Sequence, residues 1–131
     1  MPDIRIEIPE HVAARIQPGK LILGQSIENA LVEQAILTSL GAVGAELNFK
    51  PADFWGRASQ VFSSADVVFV DVTMIDRPDR TPAIRKKLAT AIKDKLSEFL
   101  AFGGPKHVGV LVWIHLKDPE ADYAEFEPVP L

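Results

Sequence analysis

The sequence predicts an α+β domain in which a β-α-β unit occurs twice, giving a four-stranded sheet with two helices on one face. Three observations predict it. Ile4, Ile6 and Ile8 alternate with Asp3, Arg5 and Glu7, the period of a strand with one buried face. Two stretches, about Ser26 to Leu40 and Thr81 to Phe102, carry helix start and stop signals around apolar residues. Each is followed by a short turn and a second apolar stretch, 45–50 after the first helix and 108–116 after the second. A crossover that spans a helix makes the two strands of a unit parallel and the connection right-handed.

The chain of 131 residues is read as one domain, 1–131, with units at about 1–50 and 66–117 and a tail at 118–131. A hydrophobic share of 47% against 24% charged marks a globular chain, not a disordered one. No apolar run reaches membrane-spanning length and the N-terminus lacks the basic-then-apolar order of a signal peptide, which points to a soluble cytoplasmic protein without a membrane partner. The absence of cysteine removes disulfides, thiolate nucleophiles and thiolate metal sites. His11, His107 and His115 lack metal-ligand spacing and read as structural, and no phosphate loop or Ser-His-Asp set is present. A net charge of −4 argues against a general nucleic-acid surface.

After the first strand, Pro9 to Gln25 is irregular, with a short helical turn at His11 to Ile16 and a Pro18-Gly19 turn. Leu21, Ile22 and Leu23 are too apolar for a solvated loop; they extend the next helix or pack on a neighbouring subunit. Ser26 reads as the N-cap of the first helix and Gly41 as its stop. Leu47 and Phe49 mark the second strand within 45–50, and Pro51 to Ala65 reads as a loop whose Phe54-Trp55-Gly56-Arg57 either walls a pocket or fills a subunit contact. Asp66 to Ile75 is the most apolar strand and therefore central. Thr81 caps the second helix with Pro82 at its first position, and Ile84, Leu88, Ile92, Leu96 and Leu100 share its inner face. Strands this apolar on both sides leave a sheet face that calls for another subunit.

Pro2 stands at the mouth of the first strand. An initiator methionine before proline is normally removed, leaving a free secondary amine on a rigid platform. Near neutral pH an α-amino group is partly uncharged, and desolvation or a nearby cation increases that share, so the amine can act as a general base. The plainer reading is that Pro2 only starts a strand, where its missing N–H costs nothing.

Met1-Pro2 leading into Asp3-Ile4-Arg5-Ile6, with Gly44 to Phe49 running into Ala52-Asp53-Phe54-Trp55, and Phe69 to Met74 followed by Arg80 and Arg85-Lys86-Lys87, resembles the 4-oxalocrotonate tautomerase superfamily. The nearest branch is the 5-carboxymethyl-2-hydroxymuconate isomerase-like one, over about residues 1–8 and 26–117. The resemblance implies a tautomerase-like fold, no cofactor, a small-molecule substrate and a homotrimer. It implies Pro2 as general base and acid on a carboxylated enol or α-keto acid, and Arg80 as a substrate-facing cation. The chain departs from the pattern where the second strand should open with arginine and has Glu46, and at Gly109 in the fourth strand. Lys50 and Arg57 are the cations that can replace the missing one, with Trp55 beside them in the pocket wall. A binding or scaffold protein that keeps the fold without the activity is the alternative. As a turn residue beside Pro78 and Asp79, Arg80 is expected to bury little surface.

Overall fold

The computed structural model describes residues 3–15, 26–39, 43, 55–100, 108–118 and 130. Four strands, β1 (Asp3–Pro9), β2 (Trp55–Val61), β3 (Val67–Ile75) and β4 (Gly109–Lys117), form one mixed sheet in the order β2-β1-β3-β4. Strand β1 runs parallel to β2 and antiparallel to β3, and β3 runs parallel to β4. The alternation at the start of the chain does what its period dictates. Ile4, Ile6 and Ile8 are buried, while Arg5 and Glu7 are exposed. The same alternation puts Val68, Val70, Val72 and Met74 of β3 on the buried side.

Among the described residues, α-helices α1 (Glu10–Ala13), α2 (Ile27–Ser39) and α3 (Pro82–Phe99) accompany the sheet. Both longer helices begin where their caps put them. The Asn29 N–H donates to Ser26 Oγ at 3.1 Å and the Ile84 N–H to Thr81 Oγ1 at 3.3 Å, satisfying donors that the first turn leaves open. Pro82 occupies the position where its fixed φ suits the helix. Leu31 and Ala35 of α2 join Leu88, Ile92 and Leu96 of α3 in a single core with the inward residues of β1 and β3. Helix α2 packs on β2 and β1, α3 on β4, and the two helices on each other, so both cover the same face. The β-α-β duplication and the one-sided helical layer therefore stand as the sequence predicted.

One segment read as loop is a strand. Trp55–Val61, read as part of a loop, is a strand that pairs in parallel with β1. The expected strand at 45–50 lies outside the described residues. The physical reason is visible in the register. Gly56, Ala58 and Gln60 stand beside Ile4, Ile6 and Ile8 and so share their inward face, where two small residues and an amide offer no apolar period to read. An edge strand needs little more, because Ala58 packs against the core and Gln60 Nε2 donates to Glu28 Oε1 of α2 at 3.0 Å. The expected helical turn at His11 to Ile16 starts one residue earlier and is short, with Val12 and Ala13 buried. The stretch Leu21 to Leu23 lies outside the described residues.

The face opposite the helices has no cover from the described residues. Along it the register sets Arg57, Arg5, Asp71 and Trp113 in one row and Ser59, Glu7, Phe69 and Leu111 in the next. Phe69, Ile75, Leu111 and Trp113 are its exposed large apolar side chains.

Because Ile6 is 1% exposed and sits mid-strand in the central layer, Ile6→Ala is expected to cost about 2–5 kcal/mol through lost burial and the cavity left behind. Urea unfolding followed by circular dichroism measures it, and a loss below about 1 kcal/mol would place Ile6 outside the core.

Candidate active site

The mouth of β1 lies where four chain segments end together. Asp3 stands beside the backbone of Trp55, which opens β2, and opposite Thr73 of β3, which in turn pairs with His115 of β4. The turn after β3 closes this end. The Asp76 N–H donates to the Lys117 carbonyl at 2.8 Å, tying that turn to the end of β4. Pro2 precedes Asp3 in the chain and lies outside the described residues, as does Lys50; Trp55 enters through its backbone alone.

Two arginines converge on Asp3. Arg5, two residues along the same strand face, donates Nε to Asp3 Oδ2 at 3.1 Å. Arg57, the register partner of Arg5 on β2, brings Nη2 to 3.9 Å from the same oxygen. Like charges facing each other across two strands repel, and the shared carboxylate offsets that repulsion. The other oxygen, Asp3 Oδ1, is buried and finds no hydrogen-bond partner among the described residues. Both guanidinium side chains are more than half exposed, so their pairing with Asp3 contributes little stability while their remaining N–H groups face solvent. Arg57 thus lies at the mouth of β1 beside Arg5 and Asp3. Arg5 was not singled out in the sequence; its signal was the spacing of two along a strand, which sets it on the same face as Asp3.

Arg80 behaves differently from a solvated turn residue. It is only 4% exposed and is the buried charged residue among those described. Its Nη1 donates to the Ile75 carbonyl, its backbone N–H to the Arg77 carbonyl at 3.0 Å, and its own carbonyl accepts from Arg85 Nη1 at 2.8 Å. Burial, reinforced by the charge of Arg77 and opposed by Asp79, pulls its guanidinium below the ordinary value. It stays protonated in water near neutrality all the same. The expectation that it buries little surface is therefore corrected: Arg80 ties the end of β3 to the start of α3.

The remaining sequence-stated positions separate cleanly. Gly109 opens β4 beside Val67, at the opposite end of the sheet from Asp3, so its missing side chain leaves the mouth of β1 in the same chain untouched. His11 Nε2 lies 2.8 Å from Asp66 Oδ1, also away from that mouth. His115 Nε2 lies 3.0 Å from Asp71 Oδ1 and stacks on Trp113 with ring centroids 6.3 Å apart. Among the described residues no group of three or more histidine or acidic side chains could hold a metal ion, and no helix is long and apolar enough to cross a membrane.

No family model and no curated protein matches this chain. Solved structures do. One, of a member of the cis-3-chloroacrylic acid dehalogenase family, is 13% identical with a TM-score of 0.60, over 98% of this chain and 83% of that one. FG41 malonate semialdehyde decarboxylase, inhibited by 3-bromopropiolate, is 15% identical with a TM-score of 0.57, over 95% and 90%. A fused 4-OT solved as a symmetric trimer is likewise 15% identical with a TM-score of 0.57, over 97% and 94%. The chain has the fold that these tautomerase-superfamily proteins share.

Replacing Arg80 with leucine is expected to cost about 1.5–3 kcal/mol, since a hydrogen bond from a charged donor is lost inside the protein. Arg57→Ala, on an exposed side chain, is expected to stay within about ±0.5 kcal/mol. Urea midpoints of the two variants test the contrast, and equal midpoints would remove the structural role of Arg80.

Proposed function

We propose that this chain, built on the tautomerase fold, is a cofactor-independent tautomerase acting on a small carboxylated enol or α-keto acid. Pro2 is the general base and acid. The observation that carries the reading is the cationic mouth of β1, where Arg5 and Arg57 converge on Asp3, the residue directly after Pro2. With Met1 removed, the neutral amine accepts the enol O–H proton and leaves an enolate. The resulting ammonium then delivers a proton to carbon, so the substrate gains a C–H as it loses an O–H and the amine returns to neutral. Such a shuttle needs a base near the working pH and a holder for the anion. Nearby guanidinium groups serve both needs, since they favour the uncharged amine and bind carboxylates in two-pronged fashion. Arg57 is the substrate-facing cation, Lys50 and Trp55 complete the pocket, and Arg80 acts as a positioning residue that fixes the turn at this end. The assembly is a homotrimer that buries the bare sheet face between subunits, as the fused 4-OT symmetric trimer also suggests.

A second reading has its own support. The arginine that the family resemblance makes substrate-facing is here buried and bonded to Ile75 and Arg85, which suits an oligomeric binding or scaffold protein that keeps the fold without turnover.

Intact mass and an absorbance assay on phenylenolpyruvate separate the two. With Met1 absent, the parent is expected to catalyse ketonisation and Pro2→Ala to lower turnover by about 10²–10⁴-fold, the usual contribution of a positioned general base. Arg57→Ala is expected to raise KM with its fold intact. A parent with a free Pro2 and no rate above buffer would favour the scaffold reading.

A further inference from the structure

We infer that Asp3 is the positioning residue that sets how firmly the Pro2 amine holds its proton. Its carboxylate favours the protonated amine directly and, by pairing with Arg5 and Arg57, also offsets the two cations that favour the neutral form. The inference rests on the amine chemistry proposed above and adds the group that tunes it.

Covalent geometry brings the two groups together. Consecutive Cα atoms lie about 3.8 Å apart across a trans peptide, so an amine on residue 2 has the Asp3 carboxylate as a near neighbour. An opposite charge at about 4–6 Å favours the charged form of an ionisable group. The side chain of Asp3 is 27% exposed, against 55% for Arg5 and 57% for Arg57, so its charge is the least screened of the three. One of its oxygens, Oδ2, accepts from Arg5 Nε at 3.1 Å and has Arg57 Nη2 at 3.9 Å. The other, Oδ1, is buried without a hydrogen-bond partner among the described residues. A buried acceptor left without a donor is costly, and a charged one more so. A terminal secondary ammonium brings two N–H groups to this end of the strand, the neutral amine only one.

The balance of charge decides the direction. Among the described residues, Arg5 on β1 and Arg57 on β2 are the groups that pair with Asp3. On β3 its register partner is the uncharged Thr73, followed on β4 by His115, whose Nε2 lies 3.0 Å from Asp71 Oδ1. The turn after β3 carries Asp76, Arg77 and Asp79, with Arg80 bonded to Ile75, and β4 ends in Lys117. These groups stay the same when Asp3 alone is changed. Two guanidinium groups and one carboxylate give the trio a net charge of +1, and removing the Asp3 charge leaves +2. The amine then loses a nearby anion while both arginines lose their counter-ion, and each loss pushes it toward the neutral form.

Titration of the terminal amine by nitrogen-15 NMR of proline-labelled protein reads the effect without turnover, with intact mass showing Met1 absent and circular dichroism showing each variant folded. Asp3→Asn is expected to lower the amine's pKa by about one unit, the low end of what an opposite charge at this range contributes. Asp3→Glu is expected to stay close to the parent, and Arg5→Gln to move the pKa the opposite way. The acid limb of kcat/KM against pH on phenylenolpyruvate is expected to shift in step with each titration. A merely structural role for Asp3 would not move the Asn and Gln variants in opposite directions. An active parent whose amine titrates unchanged in Asp3→Asn overturns the inference and leaves the proton shuttle standing. An inactive parent whose amine still shifts in Asp3→Asn overturns the shuttle and leaves the coupling to Asp3. A parent that retains Met1 overturns both.

Discussion

The fold depends on β1 being an interior strand. Its backbone is paired on one side with β2 and on the other with β3, and its inward isoleucines belong to the same core as residues of both long helices. Both halves of the sheet need it: β2 has no other partner among the described strands, and within the sheet the β3–β4 pair joins β2 through it. Three isoleucines at period two thus give the N-terminal strand a place usually filled from the middle of a chain. A terminus would fray without such pairing. Here it is held on both sides up to Asp3.

The two faces of β1 divide the labour. Its inner face carries stability; its outer face carries Asp3, Arg5 and Glu7, which contribute little to folding and much to local charge. At the mouth, Arg5 and Arg57 make an anion-attracting end. Asp71 and Trp113 continue the row of Arg57 and Arg5 across the sheet, and Glu7 and Phe69 stand in the next row. Arg80 holds the turn at the mouth from beneath, bonded to Ile75 and Arg85 instead of to solvent.

What the sequence made legible follows from which residues carry a periodic signal. β1, β3 and β4 were readable because isoleucines and valines mark their inner faces, and both long helices because Ser26 and Thr81 cap them. β2 was not, since its inner face is Gly56, Ala58 and Gln60 and its neighbour α2 supplies the polar partner. At the site, Arg57 was legible as an exposed cation but not its neighbour Arg5, because only the parallel register of β1 and β2 brings the two together. Arg80 misled for the opposite reason. A charged residue in an Asp-Arg-Pro-Asp turn reads as solvated, and only the tertiary path of the chain folds it under the end of β3.

Native-state amide hydrogen exchange is the measurement that tests the place of β1 most directly. Amides of Ile4, Arg5, Ile6 and Glu7 are expected to exchange as slowly as those of Val70 and Val72, opening only with global unfolding. Exchange in β1 as fast as that of a fraying terminus, with β3 still protected, would contradict it.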